Sequence, residues 1–153
     1  MKKIVLIFLF LIGAYTLEAQ ELTWHTNLNE AIQLSEQTKK PLLLFFTGSD
    51  WCGWCIRLQN EVLRKPEFAA WAKDHVVLVE VDFPRRKQLP PETQKQNGEL
   101  QQFFGVHAYP TVWFVNANKK DDKIIFSKLG STGYLEGGPS AWLNAANQII
   151  KQK

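Results

Sequence analysis

The chain has 153 residues, of which 45% are hydrophobic and 22% are charged, and its formal net charge is +3 at pH 7. This composition is typical of one soluble globular domain with a hydrophobic core of its own. The charge is small and the lysines and arginines are scattered along the chain, which argues against a nucleic-acid partner.

The first residues have the layout of a secretory signal peptide. Met1-Lys2-Lys3 is a basic start, residues 4–12 are an unbroken apolar run, and Ala19 is a small residue suited to a cleavage site. The apolar run is shorter than the roughly 20 residues that a bilayer span needs, with an uncleaved anchor as the alternative. We expect residues 1–19 to be removed and residues 20–153 to form one periplasmic or secreted domain without a membrane span.

The first half of that domain is predicted to contain a short strand, a helix, a buried strand and two further helices. Asn27 with Glu30 three residues later is typical of a helix start, and Pro41 stops this helix. The continuous apolar run after Pro41 indicates a strand that is buried on both faces. The five elements are expected at residues 22–25, 27–40, 42–47, 53–63 and 67–73.

The second half is predicted to contain a buried strand, a polar loop, a helix, a hairpin and a last helix that opens at Pro139. Strands separated by helices favour a parallel arrangement, and the hairpin adds an antiparallel edge. The predicted fold class is therefore α/β, a central mixed sheet of four to five strands with helices on both faces. These elements are expected at residues 76–81, 84–91, 92–104, 111–115 with 124–129 (joined by a polar turn at 116–123), and 139–150.

Cys52 and Cys55 are the only cysteines, and they lie where the buried strand gives way to a helix. Residues three apart on a helix are neighbours, at a separation that suits the roughly 5.5 Å between Cα atoms preferred by a disulfide. A helix N-terminus stabilises the thiolate, which is the attacking species. We therefore expect Cys52, nearer solvent, to be the nucleophile and Cys55, more buried, to be the resolving thiol.

Three other roles for the cysteine pair compete with this one. A structural disulfide over three residues would restrain the unfolded chain little. A zinc site needs four ligands, whereas the chain offers one cysteine pair and three histidines without ligand spacing. Carriage of Cu(I) by the two thiols stays open as an alternative.

The motif Trp-Cys-Gly-Trp-Cys at residues 51–55 resembles the Trp-Cys-Gly-Pro-Cys active site of the thioredoxin superfamily. Tyr109-Pro110-Thr111 is similar to the cis-proline loop of that family, and the glycine-containing segment 128–134 to the stretch after its last strand. The resemblance covers about residues 22–150. It implies a thioredoxin fold and a protein-disulfide oxidoreductase that exchanges disulfides with protein thiols, receives electrons from a redox partner protein and needs no bound cofactor or metal. The implied substrate-binding residues are Trp51, Gly53, Trp54, Tyr109, Pro110 and Thr111.

The sequence departs from the family at the buried aspartate that thioredoxin carries in the strand before the motif. Residues 44–46 are Leu-Phe-Phe here, and the lysine that faces the aspartate would fall near Leu78. Proton transfer must therefore differ, with Asp50, Glu80 or solvent as open alternatives.

A second departure is Trp54, which stands where the family has proline. The dipeptide between the cysteines tunes the reduction potential, which spans about −270 to −120 mV in the family. Trp54 either makes the disulfide more oxidising, by adding a backbone N–H near the sulfurs, or widens the apolar surface for substrate. The direction of electron flow stays open, and so does a second class of function, a thioredoxin-like chaperone that binds clients while its cysteines are incidental.

Other residues near the motif have two interpretations each. Trp51 and Trp54 are expected to flank the disulfide as an exposed apolar collar, with a partly buried packing role as the alternative for Trp51. His107 either lowers the pKa of the thiol or is a plain surface group. Residues 85–87, Arg-Arg-Lys, form either a solvated turn or a docking site. The tryptophans expected in the core are Trp24, Trp71, Trp113 and Trp142.

Overall fold

Five strands form one mixed sheet in a computed structural model that describes residues 22–151. They are β1 (Trp24–His25), β2 (Leu42–Thr47), β3 (Val77–Asp82), β4 (Thr111–Lys120) and β5 (Lys123–Thr132), in the spatial order β1-β3-β2-β4-β5. β3 is parallel to both β1 and β2, whereas β4 is antiparallel to both β2 and β5. The fold is the predicted α/β mixed sheet. The expected signal peptide, residues 1–19, lies outside the described residues.

Five helices cover the sheet within residues 22–151, namely α1 (Leu28–Thr38), α2 (Gly53–Leu58), α3 (Pro66–His75), α4 (Pro91–Phe104) and α5 (Gly138–Ile150). α2 continues into a π-helical turn at Gln59–Leu63, so the predicted helix over residues 53–63 is confirmed in extent. Asn27 caps α1 as expected, because its side-chain oxygen accepts hydrogen bonds from the N–H groups of Asn29 and Glu30. None of these helices is long and apolar enough to cross a membrane.

The core lies on both faces of β2, whose six residues are all buried. Leu43 and Phe45 point to the face covered by α2, α3 and α5, while Leu42, Leu44 and Phe46 point to the face covered by α1 and α4. A strand at the centre of a sheet with helices on both sides must be apolar on both faces, which is why the run is continuous rather than alternating. Of the tryptophans predicted in the core, Trp71 and Trp142 are buried, whereas Trp24 and Trp113 are half-buried.

The β4–β5 hairpin is longer than predicted. The polar turn expected at residues 116–123 is wrong, because β4 runs to Lys120 and a two-residue turn at Asp121 and Asp122 leads directly into β5. Asn116 and Asn118 are exposed on one face of the hairpin, while Ala117 between them is buried. These polar residues therefore belong to a half-buried strand that alternates, not to a loop.

Candidate active site

The two cysteines lie where β2 ends and α2 begins. After Thr47 the chain turns back on itself, with the N–H groups of Trp51 and Cys52 donating to the carbonyl of Gly48 at 3.2 and 2.9 Å. Cys52 is the N-cap of α2 in an extended conformation, and its Sγ accepts a hydrogen bond from the N–H of Cys55 at 3.2 Å. The sulfur of Cys52 thus occupies the position where a capping oxygen normally satisfies a free helix N–H.

Cys52 and Cys55 form a disulfide with their Cα atoms 5.2 Å apart. The side chain of Cys52 is 6% exposed, whereas Cys55 is completely buried. Any partner that approaches from solvent therefore meets Cys52 first. An ideal Cβ built on Gly53 has no atom within 4 Å, so the space above the redox turn is open.

The peptide bond between Tyr109 and Pro110 is cis, as the resemblance implied. The Tyr109 ring meets the ring of Trp51 edge to face at 5.9 Å, and both residues pack against the core cluster that contains the two cysteines. Gly133 lies against the carbonyl of Pro110, since a Cβ there would come within 3.1 Å of that oxygen. Thr111 begins β4, and its hydroxyl donates to the carbonyl of Ala108 at 2.7 Å.

Trp51 packs against the protein and is not part of an exposed collar. Its Nε1 donates to the carbonyl of Phe83 at 2.8 Å, and the guanidinium of Arg85 lies 3.8 Å from its ring centroid. These contacts leave the side chain half-buried. The alternative of a packing role is therefore correct for Trp51, and Trp54 is the exposed member of the pair, with 55% of its surface in solvent.

Asp50 anchors the basic loop that follows β3. Its two carboxylate oxygens accept hydrogen bonds from the backbone N–H groups of Arg85 and Arg86 at 2.9 and 2.7 Å. The bond from Arg85 is the main reason why the pKa of Asp50 lies below its usual value. A carboxylate held in its charged form by two amides is a poor proton carrier, which weakens Asp50 as the replacement for the missing buried acid.

Glu80 differs from Asp50 because it lies within β3 and is partly buried. It pairs with Phe45 across β3 and β2, and therefore faces the side of the sheet that α2 covers. Burial raises the pKa of Glu80, repulsion from Asp82 adds to the rise, and Lys87 opposes it. Of the two carboxyl groups that the sequence suggested, Glu80 is the one whose pKa is raised, so it keeps its proton more readily than an exposed carboxyl group does.

Asp82, which the sequence patterns did not single out, is a buried carboxylate that connects the redox turn to β3. Its Oδ1 accepts from the N–H of Ser49 at 2.9 Å, its Oδ2 accepts from the Ser49 hydroxyl at 2.6 Å, and Lys87 Nζ lies 2.9 Å from Oδ2. The only hint in the sequence is an acid at the end of an apolar strand, which by itself also fits a strand terminus in solvent.

The exposed flank of the site holds Trp54 with three residues that were not predicted to take part, namely Arg57, Glu61 and Tyr134. Arg57 and Glu61 follow Trp54 along the same helix, and Tyr134 reaches the cluster from the loop after β5. His107 is exposed on its loop. No group of three or more side chains suited to hold a metal ion occurs within the described part of the chain.

The chain is similar to known proteins in both sequence and structure. Residues 23–117 match a family model described as thioredoxin-like. A disulfide bond reductase of Chlamydia pneumoniae, DsbH, is 37% identical over 133 residues, which cover 87% of this chain and 75% of that protein. The thioredoxin-related protein DsbJ of the same organism is 30% identical over 156 residues, which cover 98% of this chain and 45% of that longer protein.

Solved structures are similar as well. The structure of a DsbH oxidoreductase matches with a TM-score of 0.75 and 34% identity over 87% of both chains. A thioredoxin from Thermus thermophilus matches with a TM-score of 0.58 and 20% identity over 84% of this chain and 86% of that one, a likeness of fold alone.

Proposed function

This chain belongs to the thioredoxin-like family as a protein-disulfide oxidoreductase, and from that premise we propose that it reduces the disulfides of exported proteins through Cys52 and Cys55. The observation that carries the proposal is the geometry of the pair. The two sulfurs form a disulfide at the start of α2, and of the two residues only Cys52 keeps a small part of its surface, 6%, in solvent.

The reduced pair would act in two steps. The thiolate of Cys52 attacks one sulfur of the substrate disulfide, which forms a mixed disulfide and releases the other substrate sulfur as a thiolate that takes up a proton. Cys55 then loses its proton and attacks the Sγ of Cys52, which forms the 52–55 disulfide and releases the second substrate thiol. Two electrons pass from the pair to the substrate, and a dithiol of a redox partner protein returns them.

Three observations support the details of this proposal. The hydrogen bond from the N–H of Cys55 to the sulfur of Cys52 would stabilise a thiolate there once the disulfide opens. The 37% identical relative is named a disulfide bond reductase, which supports the direction of electron flow. The basic and apolar pattern of residues 1–19 supports export to the periplasm or beyond.

We also propose that substrate proteins lie across the open space above Gly53. Trp54 follows Gly53 on α2, and Trp51 lies in the turn before this helix, where its ring meets that of Tyr109 from the loop that continues into Pro110 and Thr111. An extended substrate segment placed there would bring its disulfide over Cys52 and could pair with the backbone next to Tyr109 as an added strand.

Trapping with Cys55→Ser in the native compartment tests the mechanism. The serine cannot resolve the mixed disulfide, so covalent complexes through Cys52 should accumulate. Addition of dithiothreitol should reduce these complexes and release the substrate proteins. The double variant Cys52→Ser/Cys55→Ser is the matched control and should trap nothing. If the two variants trap the same amount, Cys52 is not the nucleophile.

Redox titration of the wild-type pair against glutathione or dithiothreitol tests the direction. A reductase should have a potential nearer to about −270 mV than to −120 mV, and should speed the reduction of insulin by dithiothreitol. A potential near the oxidising end, together with oxidation of a reduced unfolded protein, would instead identify an oxidase.

A further inference from the structure

Four side chains form one connected cluster on the exposed flank of the redox pair, which we call the Trp54 platform: Trp54, Arg57, Glu61 and Tyr134. The rings of Trp54 and Tyr134 have their centroids 5.2 Å apart. The guanidinium of Arg57 lies 5.3 Å from the Trp54 ring centroid and 5.1 Å from the Tyr134 ring centroid. The aromatic rings and the cation therefore stabilise one another beside Cys55.

Glu61 holds both neighbours of Trp54 with a single carboxylate. Its Oε1 accepts from Nε of Arg57 at 2.7 Å, and its Oε2 accepts from the hydroxyl of Tyr134 at 2.5 Å. The bond from Tyr134, followed by the bond from Arg57, holds the pKa of Glu61 below its usual value. The carboxylate is thus charged at neutral pH and fixes two side chains that arrive from different elements.

The platform is continuous with the cis-proline side of the site. Gly133 rests against the carbonyl of Pro110, and Tyr134 follows it directly and reaches across to Trp54. A polypeptide segment that lies between Pro110 and Cys52 would therefore have the Trp54 platform beside it, since Trp54 follows Cys52 by two residues on α2.

The surface that this segment meets is apolar and close to neutral. More than half of Trp54 remains in solvent in spite of its two neighbours. The positive charge of Arg57 is compensated by Glu61, and Glu136 adds a second negative charge nearby. An acidic side chain would be repelled there, whereas an aliphatic or aromatic one would bury the exposed indole.

We infer that Glu61 is a positioning residue that, through Arg57 and Tyr134, holds Trp54 as the surface on which substrate proteins place an apolar side chain next to their reacting cysteine. The inference rests on the proposed function and adds to it a substrate preference and the residues that create it.

Short peptides with one cysteine, activated as mixed disulfides with 5-thio-2-nitrobenzoate, test the preference. The residue next to the cysteine is leucine, serine or aspartate, on either side in turn. With dithiothreitol as the electron donor and its uncatalysed rate subtracted, wild-type protein should reduce the best leucine peptide with a kcat/KM about tenfold above that of the serine peptide, and aspartate should be worst. Trp54→Ala should remove this order, while Trp54→Phe should keep most of it. Wild-type rates within twofold for all peptides, or an order unchanged in Trp54→Ala, would overturn the inference.

The role of Glu61 is tested with Glu61→Gln and Tyr134→Phe, and Glu99→Gln serves as the matched control because Glu99 forms the same kind of exposed i,i+4 pair on α4. Glu61→Gln should raise KM for the leucine peptide about two- to fivefold with kcat unchanged. The rate with the small disulfide 5,5′-dithiobis(2-nitrobenzoate), which cannot span the platform, should be the same in Glu61→Gln as in the control Glu99→Gln. Tyr134→Phe should add little to Glu61→Gln, because both remove the same link.

The outcomes separate this inference from the proposed function. A Glu61→Gln variant that loses equal activity with the peptide and the small disulfide would show a structural role and overturn the inference alone. Additive effects of Glu61→Gln and Tyr134→Phe would do the same. Wild-type protein that reduces neither probe, although Cys52 can be alkylated, would overturn the proposed function itself.

Discussion

Replacement of Asp82 by alanine should destabilise the protein more than any other change of one polar side chain near the redox turn. The carboxylate is buried and receives the N–H of Ser49 at 2.9 Å and its hydroxyl at 2.6 Å. Ser49 stands three residues before Cys52, so these two bonds attach the turn that carries the nucleophile to the end of β3.

The expected loss of stability in Asp82→Ala follows from the hydrogen-bond donors that lose their acceptor. A hydrogen bond to a charged group contributes about 1.5–3 kcal/mol to stability, and two such bonds are removed. The third partner is Lys87, whose side chain is 53% exposed and is hydrated by water once the carboxylate is gone. The loss of this ion pair therefore adds little to the destabilisation. Ser49 is itself partly exposed, which places the total near the lower end, at about 3 kcal/mol. For a domain of this size the melting temperature should fall by roughly 12 °C.

Urea unfolding of the oxidised protein, followed by tryptophan fluorescence and by far-ultraviolet circular dichroism, measures this loss. The slope of the free energy of unfolding against urea concentration should stay unchanged, which would show that the variant exposes the same surface on unfolding. Asp82→Asn is the matched control, since the amide oxygen can still accept from the N–H of Ser49, and it should lose about half as much. A loss below about 1 kcal/mol in Asp82→Ala would refute the reasoning that this carboxylate holds the turn.

Three further changes have expected outcomes of known sign. Burial raises the pKa of Glu80, so the folded protein keeps this proton to a higher pH than the unfolded chain does. Stability therefore falls as the pH rises from the usual carboxyl range through the raised pKa, and Glu80→Gln should flatten that fall when the melting temperature is recorded from pH 4 to 8. The backbone N–H groups of Arg85 and Arg86 lower the pKa of Asp50. The contribution of this carboxylate to stability is therefore full above its ordinary pKa of 3.8 and disappears as the pH falls through the lowered pKa. Asp50→Asn should have a lower melting temperature than wild type at pH 7 and the same melting temperature at pH 2. Phe68 is fully buried among three tryptophan rings, and Phe68→Ala should cost about 3–5 kcal/mol in urea unfolding, whereas a loss under 1 kcal/mol would mean that the ring is not part of the core.

The parts of the site that sequence patterns predicted are local. The apolar run of β2, the position of Cys52 and Cys55 at a strand-to-helix junction, and the proline after Tyr109 all depend on residues close together in the chain. Periodicity, capping and breaking residues act over a few residues, so they report such features directly.

The parts that patterns did not predict join distant segments. Asp82 is 33 residues from Ser49, and Glu61 is 73 residues from Tyr134. Nothing in the composition of either segment marks it as the partner of the other. The orientation of Trp51 towards Phe83 and the extension of the β4–β5 hairpin to Lys120 belong to the same class, since each depends on what a neighbouring element places beside it.

The sequence by itself thus determined that a buried strand delivers two thiols to a helix start, because those features are encoded within single turns and strands. The Tyr-Pro loop beside the thiols was implied by the resemblance to the thioredoxin superfamily. Only the tertiary structure decided which carboxylates serve the site. Backbone amides hold Asp50 in its charged form, and Asp82 is bound by Ser49 and Lys87. Glu80 is partly buried within β3, and Glu61 arranges the exposed flank. The charge and the role of a carboxyl group depend on the dipoles and the water around it, and packing between separate elements sets both.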